Sequence, residues 1–214
     1  MRDRSILRVR RSSGGVLRAW GLTVSLLVCG ASIAASGAER MSFEQASKPF
    51  SGYRYSRYGY VSSTGQVTKG RLGCSGYATA VLYRMQNGNE WLKAYQADAK
   101  AGRWPYQWYG DRIAAFFKLA AAIEVSAADI DDPAHIRAMV DDKTLVAGGL
   151  YFFNVRNGKE GHVGFVRVGQ DGELQQRQYS GLESYRGLAT GDFRHWKDST
   201  IYKDSPVQLY LVPE

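Results

Sequence analysis

Cysteine is scarce in this chain of 214 residues, which contains only Cys29 and Cys74. Cys29 lies in an N-terminal segment that we expect to be removed, so Cys74 would be the only cysteine of the mature protein. A single cysteine cannot form an intrachain disulfide. Because a lone thiol is a liability in an oxidising compartment, Cys74 is either an inert core residue or a group that the protein uses.

The chain also lacks the patterns that nucleic-acid sites and metal sites require. No basic stretch is interleaved with aromatic residues, and the His, Cys and acidic residues do not follow the spacing of metal ligands. The formal charge of +8 overstates the charge of the folded part, because residues 1–38 hold six Arg and one Asp, which leaves about +3 for residues 39–214. The sequence therefore predicts no nucleic-acid partner and no metal or other cofactor.

Residues 1–38 have the pattern of a secretory signal peptide. Six arginines precede an uncharged stretch, residues 19–38, which has an apolar centre and ends in the small residues ASIAASGA. This pattern suits cleavage after Ala34 or Ala38. An uncleaved membrane anchor is the alternative, although the glycines and serines of the stretch would make a poor spanning helix. In either case we expect residues 39–214 to be exported.

Cys29 lies where a bacterial lipoprotein signal would carry its lipidated cysteine. The preceding residue is Val28, whereas such signals usually carry Gly, Ala or Ser at that position. We therefore favour an ordinary signal peptide. Membrane contact is expected only if the segment stays uncleaved or Cys29 is lipidated.

The hydrophobic pattern of residues 39–214 predicts a single α+β domain. Residues 39–72 are rich in Tyr, Ser, Gly and Arg and indicate an irregular approach to the first helix. Helical spacing then predicts helices over residues 75–85, 90–101 and 111–122, and one that Asp132 caps and Pro133 opens. A period of two predicts strands over residues 150–155, 162–168, 173–179 and 207–212. Helices that come first and an antiparallel sheet that comes second indicate the α+β class.

Cys74 stands at the N-terminus of the first of these helices, on its apolar stripe. A thiol attacks as the thiolate, and a helix N-terminus beside a His lowers the pKa of a cysteine. The backbone N–H groups of the first turn can also hold an oxyanion. Gly73 and Gly76 flank Cys74, and we expect them to let a substrate backbone approach.

His162 is the histidine best placed to act as a base for Cys74. It begins the predicted strand HVGFVRV after the loop RNGKEG, and we expect it to face outward at the strand edge. A half-exposed structural histidine is the alternative, and His135 and His195 are weaker candidates. On the next strand Gln176 and Gln178 share one face, so Gln178 or Gln176 could orient the imidazole; we prefer Gln178. The alternative is that both glutamines are solvent-facing residues of an edge strand.

The segments GCSGY, VAGGLYFF and GHVGFVRVGQDGEL occur in an order that resembles the NlpC-type cell-wall peptidases, a papain-like group. The resemblance covers roughly residues 50–182. It implies a papain-like fold in which N-terminal helices pack on an antiparallel sheet. It also implies that Cys74 is the nucleophile, His162 the base and the polar residue of the next strand the orienter. The implied activity is hydrolysis of amide bonds in peptidoglycan stem peptides, in the periplasm or cell envelope of a bacterium.

The resemblance also points to substrate-binding residues and has clear departures. The family commonly has a Tyr before the Cys that assists the oxyanion site, for which Tyr58 and Tyr60 are the nearest matches, and Ser75 follows the nucleophile. Gly73 and Gly149 stand where the family usually has Asp, and a Gln replaces the usual third His. Two other functions fit the same fold: a binding module that has lost catalysis, and an acyltransferase that uses the same thioester.

Overall fold

A computed structural model of the chain describes residues 39–57, 59–67, 70–103, 110–179 and 188–214. Six of its strands form one sheet in the order β3-β8-β4-β5-β6-β7, in which every neighbouring pair is antiparallel. A separate parallel pair, β1 and β2, lies before the first long helix. The strands are β1 (Arg54–Tyr55), β2 (Arg71–Leu72), β3 (Ile123–Val125), β4 (Leu150–Asn157), β5 (Glu160–Val168), β6 (Leu174–Tyr179), β7 (Leu188–Asp192) and β8 (Val207–Leu211).

Helices cover both faces of this sheet. They are α1 (Phe43–Ser47), α2 (Cys74–Asn87), α3 (Trp91–Lys100), α4 (Gly110–Phe116), α5 (Ala127–Asp131), α6 (Pro133–Asp141) and α7 (Phe193–Asp198). Short polar side chains cap several of them, because the first N–H groups of a helix have no partner within it. Ser42 and Gln45 form a capping box at α1, and Asp132 accepts a hydrogen bond from the N–H of Ala134 at α6.

The core consists of two clusters, one on each face of the sheet. Phe152 and Phe165 belong to the cluster that packs against α1, α2, α3 and α4. Phe153 and Val166 belong to the cluster that packs against α5, α6 and α7. Consecutive strand residues point to opposite faces, so a central strand between two helical layers must be apolar on both sides. This is why the run LYFFNV in β4 is buried at every position.

The structure confirms the α+β class and the antiparallel sheet. The helix that starts at Cys74 and the four predicted strands are present, with ends that differ by a few residues. The predicted helix over residues 111–122 is wrong in length: α4 ends at Phe116, Lys118 has a φ of +53°, and Ile123–Val125 pairs with β8. The unpredicted α7 places a helix after the sheet has begun, so the helices do not all precede the strands.

Some sequence predictions fall outside the described residues. The signal segment with Cys29, Tyr58 and most of the predicted loop at residues 104–110 belong to this group. In the part of the chain that the structure does describe, no helix is long and apolar enough to cross a membrane.

Candidate active site

A cavity of about 330 Å³ opens beside the N-terminus of α2. Cys74 and Ser75 line it from the helix, and His162 and Val163 line it from β5. The structure therefore brings together the predicted nucleophile, the predicted base and the predicted substrate-binding Ser75. The remaining lining residues are Tyr55, Arg57, Gly110, Asn154, Lys159, Glu160, Gly161 and Tyr202.

Cys74 is the first residue of α2, and the residue before it is Gly73. Because Gly73 has no side chain, no N-cap side chain occupies the N–H groups of the first turn, where Cys74 and Ser75 line the cavity. The N–H of Gly73 itself donates to the carbonyl of Gly59, with a distance of 2.9 Å. This contact fixes the start of the helix against the preceding loop.

Gly73 and Gly76 do not serve the purpose predicted from the sequence. A Cβ at Gly73 would lie 2.9 Å from the carbonyl oxygen of Ser56, and a Cβ at Gly76 would lie 2.7 Å from that of Gly59. Both positions are thus occupied by the protein's own loop rather than by a substrate backbone. The two glycines allow this loop to pack tightly against the start of α2, which positions Cys74.

The surroundings of Cys74 favour the thiolate. Burial on its own raises the pKa of the thiol, but the charge of His162 and a hydrogen bond from its side chain lower it. The backbone N–H groups of Val163 and Ser75 lower it further, because they donate to the sulfur. The net result is a pKa below the usual value for cysteine.

His162 is buried, with a relative exposure of 7%, and does not face outward as predicted. Its ring lies among three aromatic rings, at centroid distances of 4.9 Å from Trp196, 5.9 Å from Phe153 and 6.1 Å from Tyr202. The reason is the unpredicted α7, which brings Trp196 over this end of the sheet. Packing on several sides holds the imidazole plane in one orientation.

Gln178 is hydrogen-bonded to the imidazole nitrogen of His162 that lies away from Cys74. Its side-chain oxygen is hydrogen-bonded to Nε2 of His162, which leaves Nδ1 as the nitrogen available to Cys74. A Cβ at Gly164 would lie 2.5 Å from the Cβ of Gln178, so only glycine leaves room for this side chain. Both Gln176 and Gln178 are fully buried, and β6 is covered by β7, so neither is a solvent-facing residue of an edge strand.

Two tyrosines flank the thiol. Burial and the charge of the nearby Cys74 thiolate raise the pKa of Tyr55 to about 12, and the same two causes raise the pKa of Tyr202 to about 12. Tyr55, which was not among the predicted tyrosines, lines the cavity with Cys74. Tyr60 is described and does not line the cavity, and its backbone packs against Gly76 instead. Tyr202 was missed because it comes from a loop 40 residues after His162.

Charged residues lie at the mouth of the cavity. Nη2 of Arg57 is 3.2 Å and 3.1 Å from the two carboxylate oxygens of Glu160, with both side chains largely exposed. This ion pair joins the segment between β1 and β2 to the first residue of β5. Lys159 lines the same side of the mouth.

The weaker histidine candidates lie elsewhere. His135 is exposed on α6, where its Nδ1 is 3.6 Å from a carboxylate oxygen of Asp129, and His195 is exposed on α7. Among the described residues, no group of three or more His, Cys, Asp or Glu is arranged to hold a metal ion. The arrangement at Cys74 thus combines a thiol, an imidazole, an amide and backbone N–H groups. Comparison of the chain with family models, with curated proteins and with solved structures gave no match.

Proposed function

We propose that this protein is a cysteine hydrolase with an NlpC-type, papain-like catalytic domain. The observation that carries the proposal is one constellation: Cys74 at a helix N-terminus, in one cavity with His162, whose other ring nitrogen is bound by Gln178. A cysteine with only a structural role would need neither a lowered pKa nor a neighbouring histidine whose second ring nitrogen is hydrogen-bonded.

The residues can carry amide hydrolysis through a thioester. The Cys74 thiolate attacks the carbonyl carbon, and the electron pair of the C=O bond moves to the oxygen. The resulting oxyanion is within reach of the backbone N–H groups at the start of α2 and of the Tyr55 hydroxyl. His162 then donates the proton on Nδ1 to the leaving nitrogen as the C–N bond breaks. In the second half, Nδ1 takes a proton from water, whose oxygen attacks the thioester and expels the thiolate.

The substrate we propose is the stem peptide of peptidoglycan, reached after export to the periplasm or cell envelope of a bacterium. The resemblance of GCSGY and GHVGF to cell-wall peptidases and the signal-like residues 1–38 support this choice. The cavity mouth adds support, since Arg57, Lys159 and Glu160 offer charges of both signs to a peptide that carries both carboxylates and amines.

The direct test is digestion of purified peptidoglycan by residues 39–214, with the released fragments identified by mass spectrometry. We expect new amine and carboxylate ends from a single type of amide bond. Cys74→Ser should lower the rate by at least about 1000-fold while changing the free energy of unfolding by less than about 1.5 kcal/mol. His162→Ala should abolish turnover too, whereas the matched control His195→Ala should keep the wild-type rate.

A second arm of the test concerns the oxyanion. Tyr55→Phe should lower kcat by about 100-fold, which is typical for loss of one oxyanion donor. Tyr60→Phe is its matched control and should have little effect. Equal rates for the wild type and Cys74→Ser would refute the nucleophile. If the wild type and all variants bind peptidoglycan but none cleaves it, the protein is a binding module and not a hydrolase. If the products are joined to added amines, the protein is an acyltransferase.

A further inference from the structure

A row of buried amide groups continues from His162 away from the cavity. Gln178 accepts from Nε2 of His162 and donates its own NH₂ group to the side-chain oxygen of Gln176. Gln176 in turn donates to the backbone carbonyl of Asp192, with a distance of 3.1 Å. Both glutamine side chains are 0% exposed. Water therefore does not compete for these hydrogen bonds.

The far end of this row fixes the direction of every hydrogen bond in it. A backbone carbonyl has no proton and can only accept. The side-chain NH₂ of Gln176 must therefore face Asp192, and the side-chain oxygen of Gln176 must face Gln178. That oxygen requires the NH₂ group of Gln178, so the oxygen of Gln178 is left to face His162. An oxygen acceptor at Nε2 requires that Nε2 carry a proton.

A glutamine that orients a histidine needs a further hydrogen bond to fix the direction of its amide group, whereas a carboxylate does not. A carboxylate can only accept, but an amide has one accepting end and one donating end. If Gln178 turned its NH₂ group to His162, Nε2 would have to accept, and the proton of the neutral ring would move to Nδ1. Nδ1 is the nitrogen that faces Cys74, so the ring could no longer act as its base.

We propose that Gln176 is a positioning residue that acts through Gln178 to keep the proton of neutral His162 on Nε2 and leave Nδ1 free. The backbone carbonyl of Asp192 anchors the arrangement. The importance of this tautomer for turnover rests on the proposed function, since only a base needs a free Nδ1. The tautomer itself can be measured without any substrate.

The test uses ¹⁵N NMR of residues 39–214 with labelled histidine, in a Cys74→Ala background at alkaline pH, where imidazoles are neutral. The chain has three histidines, so the spectrum is simple to assign with the help of His135→Gln and His195→Gln. His162 should be almost entirely the Nε2–H tautomer. Adding Gln176→Met should increase the Nδ1–H fraction several-fold, because Gln178 can then turn over.

Two further variants separate positioning from simple loss of packing. Gln176→Glu should keep the Nε2–H tautomer, since its buried carboxyl group in the protonated form donates its O–H to the carbonyl of Asp192 and accepts from the NH₂ group of Gln178 through its other oxygen. Gln175→Met makes the same change at the exposed neighbouring position of β6 and should have no effect. With Cys74 restored, Gln176→Met should lower kcat by about tenfold with little change in KM, and Gln176→Glu should recover most of the rate.

The proposal is overturned if His162 carries its proton on Nδ1 in the parent protein, or if Gln176→Met and Gln175→Met give the same tautomer fraction. Should Gln176→Met fail to fold, the tautomers of the parent and of Gln176→Glu decide the matter. If the tautomers are as expected but no form of the protein cleaves peptidoglycan, the positioning role stands and the proposed substrate falls.

Discussion

At the scale of single residues, Cys74 shows how opposing effects combine. Burial works against a thiolate, and the charge and hydrogen bond of His162 work for it together with two backbone N–H groups. The lowered pKa means that the second group of effects exceeds the first. The reactive state thus depends on His162 more than on the helix end alone.

The first prediction is the pH dependence of thiol alkylation. A lowered pKa means that the thiolate forms at lower pH, so the rate with iodoacetamide should reach half its maximum below the ordinary thiol value of about 8.5. His162→Ala should move this midpoint above 8.5, because burial then dominates. Stopped-flow or mass-spectrometric alkylation rates across pH measure both midpoints, and Cys74 is the only cysteine in residues 39–214.

The exposed His195→Ala variant is the control and should leave the midpoint in place. Identical midpoints for the wild type and His162→Ala would show that the imidazole does not act on the sulfur.

The sequence predicted Cys74 and His162, which line one cavity in the structure, but not the aromatic residues that pack on His162. Cys74 and His162 could be identified because a helix start and a strand start are visible in the hydrophobic pattern. The shared strand face of Gln176 and Gln178 left both open as the orienting residue, and the structure places the preferred Gln178 at His162 with Gln176 hydrogen-bonded behind it. Trp196 and Tyr202 were missed because only tertiary packing brings them to His162.

At the scale of secondary structure, the β5–β6 pair depends on one missing side chain. A Cβ at Gly164 would meet the Cβ of Gln178 at 2.5 Å and the ring of Phe153 at 2.8 Å. These neighbours belong to a packed core and cannot move freely. The glycine in the segment HVGF is therefore needed for the orienting glutamine.

The second prediction follows from this contact. Gly164→Ala should lower the free energy of unfolding by about 1–3 kcal/mol through overpacking, and should slow alkylation of Cys74 because Gln178 is displaced from His162. Chemical denaturation and the alkylation rate measure the two effects. Gly52→Ala is the matched control, since a Cβ there meets nothing within 4 Å. If both variants are as stable and as reactive as the wild type, Gly164 has no such role.

The elements that the sequence failed to predict have weak local signals. The strand β7 reads LATGD, which has little apolar alternation, and it forms because β6 offers it a partner along its whole length. The helix α7 has only six residues. Its signal was present, however: Asp192 caps it by accepting from the N–H of Arg194, and Phe193 and Trp196 follow at helical spacing.

At the scale of the whole molecule, Arg167 ties together segments that are distant in the sequence. Its guanidinium donates to the carbonyl of Gly148 at 2.8 Å, to Glu214 at 2.8 Å and to Glu44 at 3.1 Å. These partners are in the turn before β4, at the last residue of the chain and in α1. One side chain on β5 thereby joins both ends of the described chain to the sheet.

The third prediction concerns this junction. Arg167→Gln should lower the free energy of unfolding by about 1–2 kcal/mol, and the loss should shrink in high salt because the group is partly exposed. Urea denaturation at low and high ionic strength measures the change. Lys93→Gln removes an exposed positive charge from α3 and serves as the control. A loss that is equal for both variants would mean that net charge, and not the junction, is responsible.

The position of the sheet between two helical layers has a consequence for folding. Cys74 belongs to the helical layer on one face of the sheet, whereas Trp196, which packs on His162, belongs to the layer on the other face. A compact intermediate with its helices formed but the layer of α2 not yet docked on the sheet would contain an ordinary cysteine, because Cys74 would lack His162 and the N–H group of Val163. Pulsed alkylation during refolding would therefore report when α2 docks on β5, so the reactivity of Cys74 measures the rate of this assembly step.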